Sequence, residues 1–211
     1  MPHPRYLRVV SFRPGVSESA FDAGLRDTVL PRMLDDDRVV DVWVGRRGSR
    51  DDRARVLAST WIDDPETPLG APIDVAGLRA LGGHDVIVDG VEQAPLLIHA
   101  SFERPEPTRV LRLFHGRVRP GELDAYIEVA RAEVLADVEA NDGLIGFALG
   151  ARPPDSFTTV SVWTGWPAIE AATGGNTRTP FVTRNSELLA EFTVAHFEVL
   201  PDAGNRAPDR G

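Results

Sequence analysis

A strand, a turn and the start of a helix are spelled twice in this chain, as LRVVSFRPG over residues 7–15 and as LRLFHGRVRPG over residues 111–121. An internal repeat constrains a fold more than a single motif does, because the same supersecondary unit must be built twice. The match continues past the turn. Residues 20–45 overlie residues 125–150 without a gap, pairing Ala20 with Ala125, Phe21 with Tyr126, Arg26 with Arg131, Val29 with Val134, Asp37 with Asp142 and Gly45 with Gly150. Further on, LASTW ends at Trp61 and TVSVW ends at Trp163, and the last apolar run of each half carries one histidine, His99 and His196.

The second copy reads clearly. Val110–Val118 is rich in β-favouring residues and is broken by Pro120-Gly121. Leu123, Ile127, Ala130, Val134 and Val138 then recur at spacings of three and four, which lays an apolar stripe along one face of a helix. Asn141-Asp142-Gly143 ends that helix, and strands follow over Leu144–Leu149 and Phe157–Trp163. A crossover in two helical pieces, WPAIEAAT and PFVTRNSELLAEF, each with proline in its first turn, leads to a last strand over Thr193–Leu200. The order is β-α-β-β-α-β.

The first copy follows the same order. Its second crossover is longer, with a helix expected in DVAGLRALGG and an additional strand in HDVIVDG. The expected organisation is a ferredoxin-like repeat over residues 1–103, a linker over 104–108, a second repeat over 109–200 and a disordered tail over 201–211. A four-stranded sheet with both helices on one face leaves its other face to be covered, and the second copy is covalently at hand. The fold class expected is therefore α+β, two tandem ferredoxin-like repeats packed sheet to sheet as a pseudo-two-fold α/β barrel, as a monomer or homodimer.

Composition narrows the chemistry. A net charge of −9 argues against a general nucleic-acid binder, which needs a basic face. All 23 cationic residues are arginine, which excludes a Schiff-base lysine and a P-loop lysine. The absence of cysteine removes thiolate nucleophiles and cysteine-liganded zinc, and agrees with a reducing compartment. No apolar run is long enough to span a bilayer, and no signal peptide is evident at the start. A cytoplasmic protein with no membrane partner is expected.

The strand-helix-strand-strand pattern, with tryptophan closing the third strand in ASTW and VSVW, resembles the antibiotic-biosynthesis-monooxygenase-like members of the dimeric α/β-barrel superfamily. The resemblance is stronger over residues 109–200 than over residues 5–103. It implies a small hydrophobic or aromatic ligand held between a sheet and its own helices. The activity implied is cofactor-independent oxygenation of an aromatic or polyketide-like substrate, and relatives include isomerases, cyclases and haem-degrading enzymes. Haem-degrading relatives carry an iron-binding histidine on the crossover, where AATGGNTRTPFVTRNSE has none. No cofactor and no metal are expected. A noncatalytic ligand-binding or stress-related barrel is the alternative, and a haem-binding protein is a further one.

Candidate residues each have two readings. His115 shares a strand face with Leu111 and Leu113 by the period-two rule, where the first copy has Ser11; it is either a core residue or a functional one, acting as a general base or an axial ligand. Phe114 is its neighbour in the same departure from the first copy. Trp163 is core packing or a pocket wall, and Trp166, without a counterpart, is a pocket residue or an exposed helix start. Tyr126 can offer a phenol to a ligand. The glycine pair in TGGNTRTP can form a lid on which Asn176 and Arg178 meet a ligand oxygen, or an ordinary loop. Arg112, echoed by Arg8, is an ion-pair partner or a substrate anchor, on the face opposite His115. His99 and His196 read as a structural pair.

Overall fold

The computed structural model describes residues 3–15, 18–47, 53–63, 78, 86–102, 109–134, 136, 140, 142–180 and 184–200. The linker at 104–108 and the tail from 201 lie outside the described residues, as does nearly all of the first long crossover. Of its expected helix only Leu78 is described, helical and buried against the first core.

The chain is α+β. Its strands are β1 (Tyr6–Pro14), β2 (Val39–Arg46), β3 (Arg55–Trp61), β4 (Val86–Ser101), β5 (Val110–Val118), β6 (Leu144–Arg152), β7 (Ser156–Trp163) and β8 (Leu189–Val199). Two compact units divide the described residues. One runs to Gln93 and resumes at Phe197; the other spans Ala94–His196. β4 and β8 therefore each contribute to both.

In the first unit the strand order is β4-β1-β3-β2-β8. β3 pairs antiparallel with β1 and with β2, and β2 meets the end of β8 at Gly45↔Val199. Helix α1 follows β1 in three segments: α-helical Glu18–Gly24, a π-helical turn Leu25–Val29 and α-helical Leu30–Asp35. Phe21, Leu25, Val29, Leu30 and Met33 are buried from it onto Val10, Phe12, Val42, Val44 and Leu57 of the sheet.

The second unit has the expected β-α-β-β-α-β order, with strands arranged β8-β5-β7-β6-β4. Helix α2 comprises Leu123–Val129 and a π-helical turn Ala130–Val134, and α3 is Trp166–Ala172 with proline in its first turn. The π-helical turns of α1 and α2 fall at the same offset, Leu25 to Ala130 and Val29 to Val134, each 105 residues apart. Leu123, Tyr126 and Ala130 of α2 and Ile169 of α3 pack on the sheet.

Two expectations change. The VIVDG of HDVIVDG is not a separate strand; it runs on into LLIHAS as the 16-residue β4, Val86–Ser101. Gly90 and Pro95 lie within it, both exposed, and a register shift at Leu96/Ile98 follows the proline. The second helical piece of the later crossover is a short 3-10 turn, Arg184–Leu188, and Leu189–Phe192 already belong to β8. There Leu189 packs against the second core and Phe192 stacks on Phe114 of β5, contacts along the sheet that outweigh the helix propensity of Leu189, Ala190 and Glu191.

Candidate functional site between sheet and helices of the second unit

β5 presents two faces because side chains alternate along a strand. Register settles which residues share each face. Val110 lies opposite Trp163 of β7, Arg112 opposite Ser161, Phe114 opposite Thr159 and Gly116 opposite Phe157. Val110, Phe114, Phe157 and Trp163 join the helix residues Leu123, Tyr126, Ala130 and Ile169 in one buried cluster, so this face looks toward the helices. His115 lies on the other face, opposite Thr158, whose hydroxyl is 3.1 Å from its Nδ1.

Four rings stack in succession along the helix-facing side. Phe192 of β8 stacks on Phe114 at 5.5 Å and 11°, Phe114 on Phe157 at 5.7 Å, and Phe157 on Tyr126 at 4.2 Å. The ladder runs from the half-exposed Phe192 to the buried Tyr126. Gly116 makes it possible. A Cβ there would stand 2.2 Å from Phe157 Cζ and 2.4 Å from Cε1, so only glycine lets the Phe157 ring lie across β5.

Arg112 lies beside this ladder. Its guanidinium carbon is 5.3 Å from the centroid of Phe114, in cation-π range. One guanidinium nitrogen donates to the Thr179 carbonyl at 2.6 Å, and Nε donates to the Thr177 carbonyl at 3.5 Å. Both acceptors belong to the loop after α3. Burial pulls the Arg112 pKa down to about 10, with Tyr126 acting in the opposite direction. It is a desolvated cation at neutral pH.

Burial likewise pushes the Tyr126 phenol well above the usual tyrosine range, and Arg112 offsets part of that rise. The hydroxyl is thus held as a proton donor. Because an unfolded phenol ionises at about 10 and the folded one only higher, this contribution to stability is intact below about pH 10 and is lost as pH rises beyond it. In a Tyr6→Phe variant, which leaves Tyr126 as the single tyrosine, the ultraviolet phenolate band is expected to appear only with alkaline unfolding. Titration in the ordinary range with the fold intact would contradict the burial of this hydroxyl.

The remaining candidates scatter. Trp163 is buried and its indole nitrogen donates to Ser161 Oγ at 2.8 Å, just as Trp61 donates to Ser59 at 2.8 Å, a shared structural bond. Trp166 is exposed at the start of α3, with its ring 4.9 Å from that of His196. Asn176 is exposed and organises its own loop, accepting from the Arg178 amide at 3.1 Å and from the Thr179 hydroxyl at 2.8 Å. Arg178 is exposed. The structure therefore brings Phe114, Tyr126 and Trp163 into one cluster and sets His115 on the opposite face. His99 of β4 lies opposite Ala148 of β6, while His196 packs on Trp166. Among the described residues no three metal-ligating side chains converge.

The first unit fills the same seam differently. Where the second unit has Gly116 opposite Phe157, the first has Phe12 opposite Arg55. Arg55 is buried and bonded to Asp22 at 3.4 Å and Glu18 at 3.2 Å, both on α1. That ion pair ties helix to sheet. The second unit has an aromatic ladder and a loop-bound arginine instead.

Sequence reasoning missed Phe157, Phe192 and Gly116. A glycine within an otherwise β-favouring strand, as in FHGRV, is the available signal, since it marks a close approach.

No family model matches the chain, and no curated protein matches it in sequence. Solved structures match its fold. A candidate monooxygenase from Fusobacterium nucleatum is 12% identical with a TM-score of 0.66, over 95% of this chain and 94% of its own. A candidate monooxygenase from Lactobacillus acidophilus is 9% identical with a TM-score of 0.64, over 93% of each chain. An uncharacterised ferredoxin-fold protein from Listeria monocytogenes, related to antibiotic biosynthesis monooxygenases, is 10% identical with a TM-score of 0.54, over 94% of this chain and 96% of its own. This chain has the ferredoxin-like fold of the antibiotic-biosynthesis-monooxygenase-like proteins.

Proposed function

We propose that the second unit binds a planar hydrophobic or aromatic molecule between its sheet and its helices, and that it oxygenates such a molecule with dioxygen and no cofactor. The observation that carries this reading is the ladder Phe192-Phe114-Phe157-Tyr126 ending beside Arg112. Rings offer stacking surface to a planar ligand. A phenol kept protonated and a desolvated guanidinium are the donors that a developing oxyanion on such a ligand needs. In cofactor-free oxygenation the substrate carbanion supplies the electrons, and the protein positions it and excludes water. The two halves derive in this reading from a duplication, of which the second retains the ligand seam.

Anthrone tests it, as a tricycle with an acidic methylene. The methylene proton leaves to solvent, the carbanion forms a C–O bond with dioxygen, the O–O bond breaks, and anthraquinone and one water result. Dioxygen is the oxidant and is reduced by the substrate. The expected result, in buffer with chelator, is oxygen uptake in step with quinone formation and above the protein-free rate. Tyr126→Phe is expected to slow this by roughly ten-fold or more. Anthrone binding without oxygen uptake would favour the noncatalytic barrel, and absence of binding would overturn the site itself.

A further inference from the structure

β4 opens with three consecutive apolar residues, Val86-Ile87-Val88, the kind of run found in strands covered on both faces. Only one face is covered. Val86 and Val88 pack against the core of the first unit, whereas Ile87 and Val91 share the other face by alternation and are 54% and 40% exposed. The far edge is uncovered too, among the described residues: β1 flanks β4 on one side, and on the other the register with β6 runs over Leu96–Ser101 and does not reach Val86–Gln93. Asp89, Gly90 and Val91 are exposed in succession, and a Cβ on Gly90 would meet nothing within 4 Å. A charge on such an edge ordinarily keeps other strands away. Asp89 carries one, but Arg13 of β1 grips both its oxygens, Nε at 2.9 Å and a terminal nitrogen at 2.6 Å. The edge thus presents both signs side by side, with a β-branched side chain at either end.

We propose that Val86–Gln93 of β4 is a self-association edge: two copies of this chain pair antiparallel about a two-fold axis at Asp89, Ile87 of one against Val91 of the other, and their two Arg13–Asp89 pairs form one quartet of alternating charge. A two-fold interface needs a patch that complements itself, and this one does so in shape and in sign. The cross-strand β-branched pairs and the added ladder supply the attraction. The quartet sets the register, because a slip would place Asp89 opposite Ile87 or Val91 instead. The inference is independent of the ligand reading of the second unit.

Sedimentation equilibrium of the full chain at rising concentration is expected to show a reversible monomer–dimer equilibrium. Asp89→Arg gathers four cationic groups at the axis and Arg13→Asp gathers four anionic ones, so each variant alone should associate about ten-fold or more weakly. An equimolar mixture of the two restores the balance of charge and is expected to associate as the natural chain does. Ile87→Ser, which leaves the charges in place, should weaken association by roughly three-fold or more. A monomer at every concentration would overturn the proposal. So would a dimer indifferent to both charge variants, which would put the interface elsewhere, or weakening in each variant without recovery in the mixture, which would remove Asp89 from the axis. The concentration series and Ile87→Ser decide the matter even where a charge variant does not fold.

Discussion

Gly116→Ala is expected to lower the melting temperature by roughly 6–12 °C, corresponding to a loss of about 3 kcal/mol at the upper end of overpacking costs. The added methyl would stand 2.2 Å from Phe157 Cζ and 3.1 Å from Phe114 Cε1. The Phe157 ring cannot swing aside, because Tyr126 stacks on it at 4.2 Å and Phe114 at 5.7 Å. Moving it breaks the ladder. Phe157→Leu made together with Gly116→Ala should therefore recover part of the loss, giving a double variant more stable than the sum of the singles by about 1 kcal/mol. Strict additivity in thermal or urea unfolding would show that the two positions do not compete for one volume.

The second large effect lies in the other unit. Arg55 has a fully buried side chain, bonded to Asp22 and Glu18 of α1. Removing one partner of a buried pair leaves a charge without its counterion in a poorly polarisable setting, which costs about 3 kcal/mol or more. Asp22→Asn is expected to approach that figure, held at its lower end because Glu18 remains. Arg55→Met should cost less, since Asp22 keeps the Arg46 guanidinium at 3.9 Å and Glu18 is half exposed so that water can solvate it, while the methionine fills apolar volume. The order of the two variants is the informative measurement. A milder loss for Asp22→Asn than for Arg55→Met in urea denaturation would mean that the pair contributes through packing of the arginine stem and not through its charge.

Much of this architecture was legible because it is periodic. β5 is bounded in the sequence by Arg109 and Pro120-Gly121, and the structure gives it Val110–Val118 as expected. The helix stripe through Leu123 and Ala130 is buried where spacing places it. The site was legible only in part, since its members meet through register. Nothing in the local sequence says that Gly116 faces Phe157, which lies 41 residues away (157 − 116), or that Phe192 reaches back to Phe114. The alternation rule separated His115 from Arg112. It could not say which of the two faces the helices, and the difference from the first copy drew attention to His115 when its neighbours Phe114 and Gly116 shape the seam. The π-helical turns leave no mark in residue type, as LRDTV and ARAEV share little beyond arginine and valine.

The passage of β4 and β8 from one unit to the other bears on how such a chain can change over generations. Cutting the gene between residues 103 and 109 would separate two polypeptides, each short of a strand end that its own sheet uses. The first would be without Phe197 and Leu200, and the second without Ile98 and the rest of β4 that pairs with β6. Compact units of one chain usually become free to drift apart or to be shuffled into new partners. Here each half holds a piece of the other's core, so both are inherited as one and only the interior of each seam is left open to diverge.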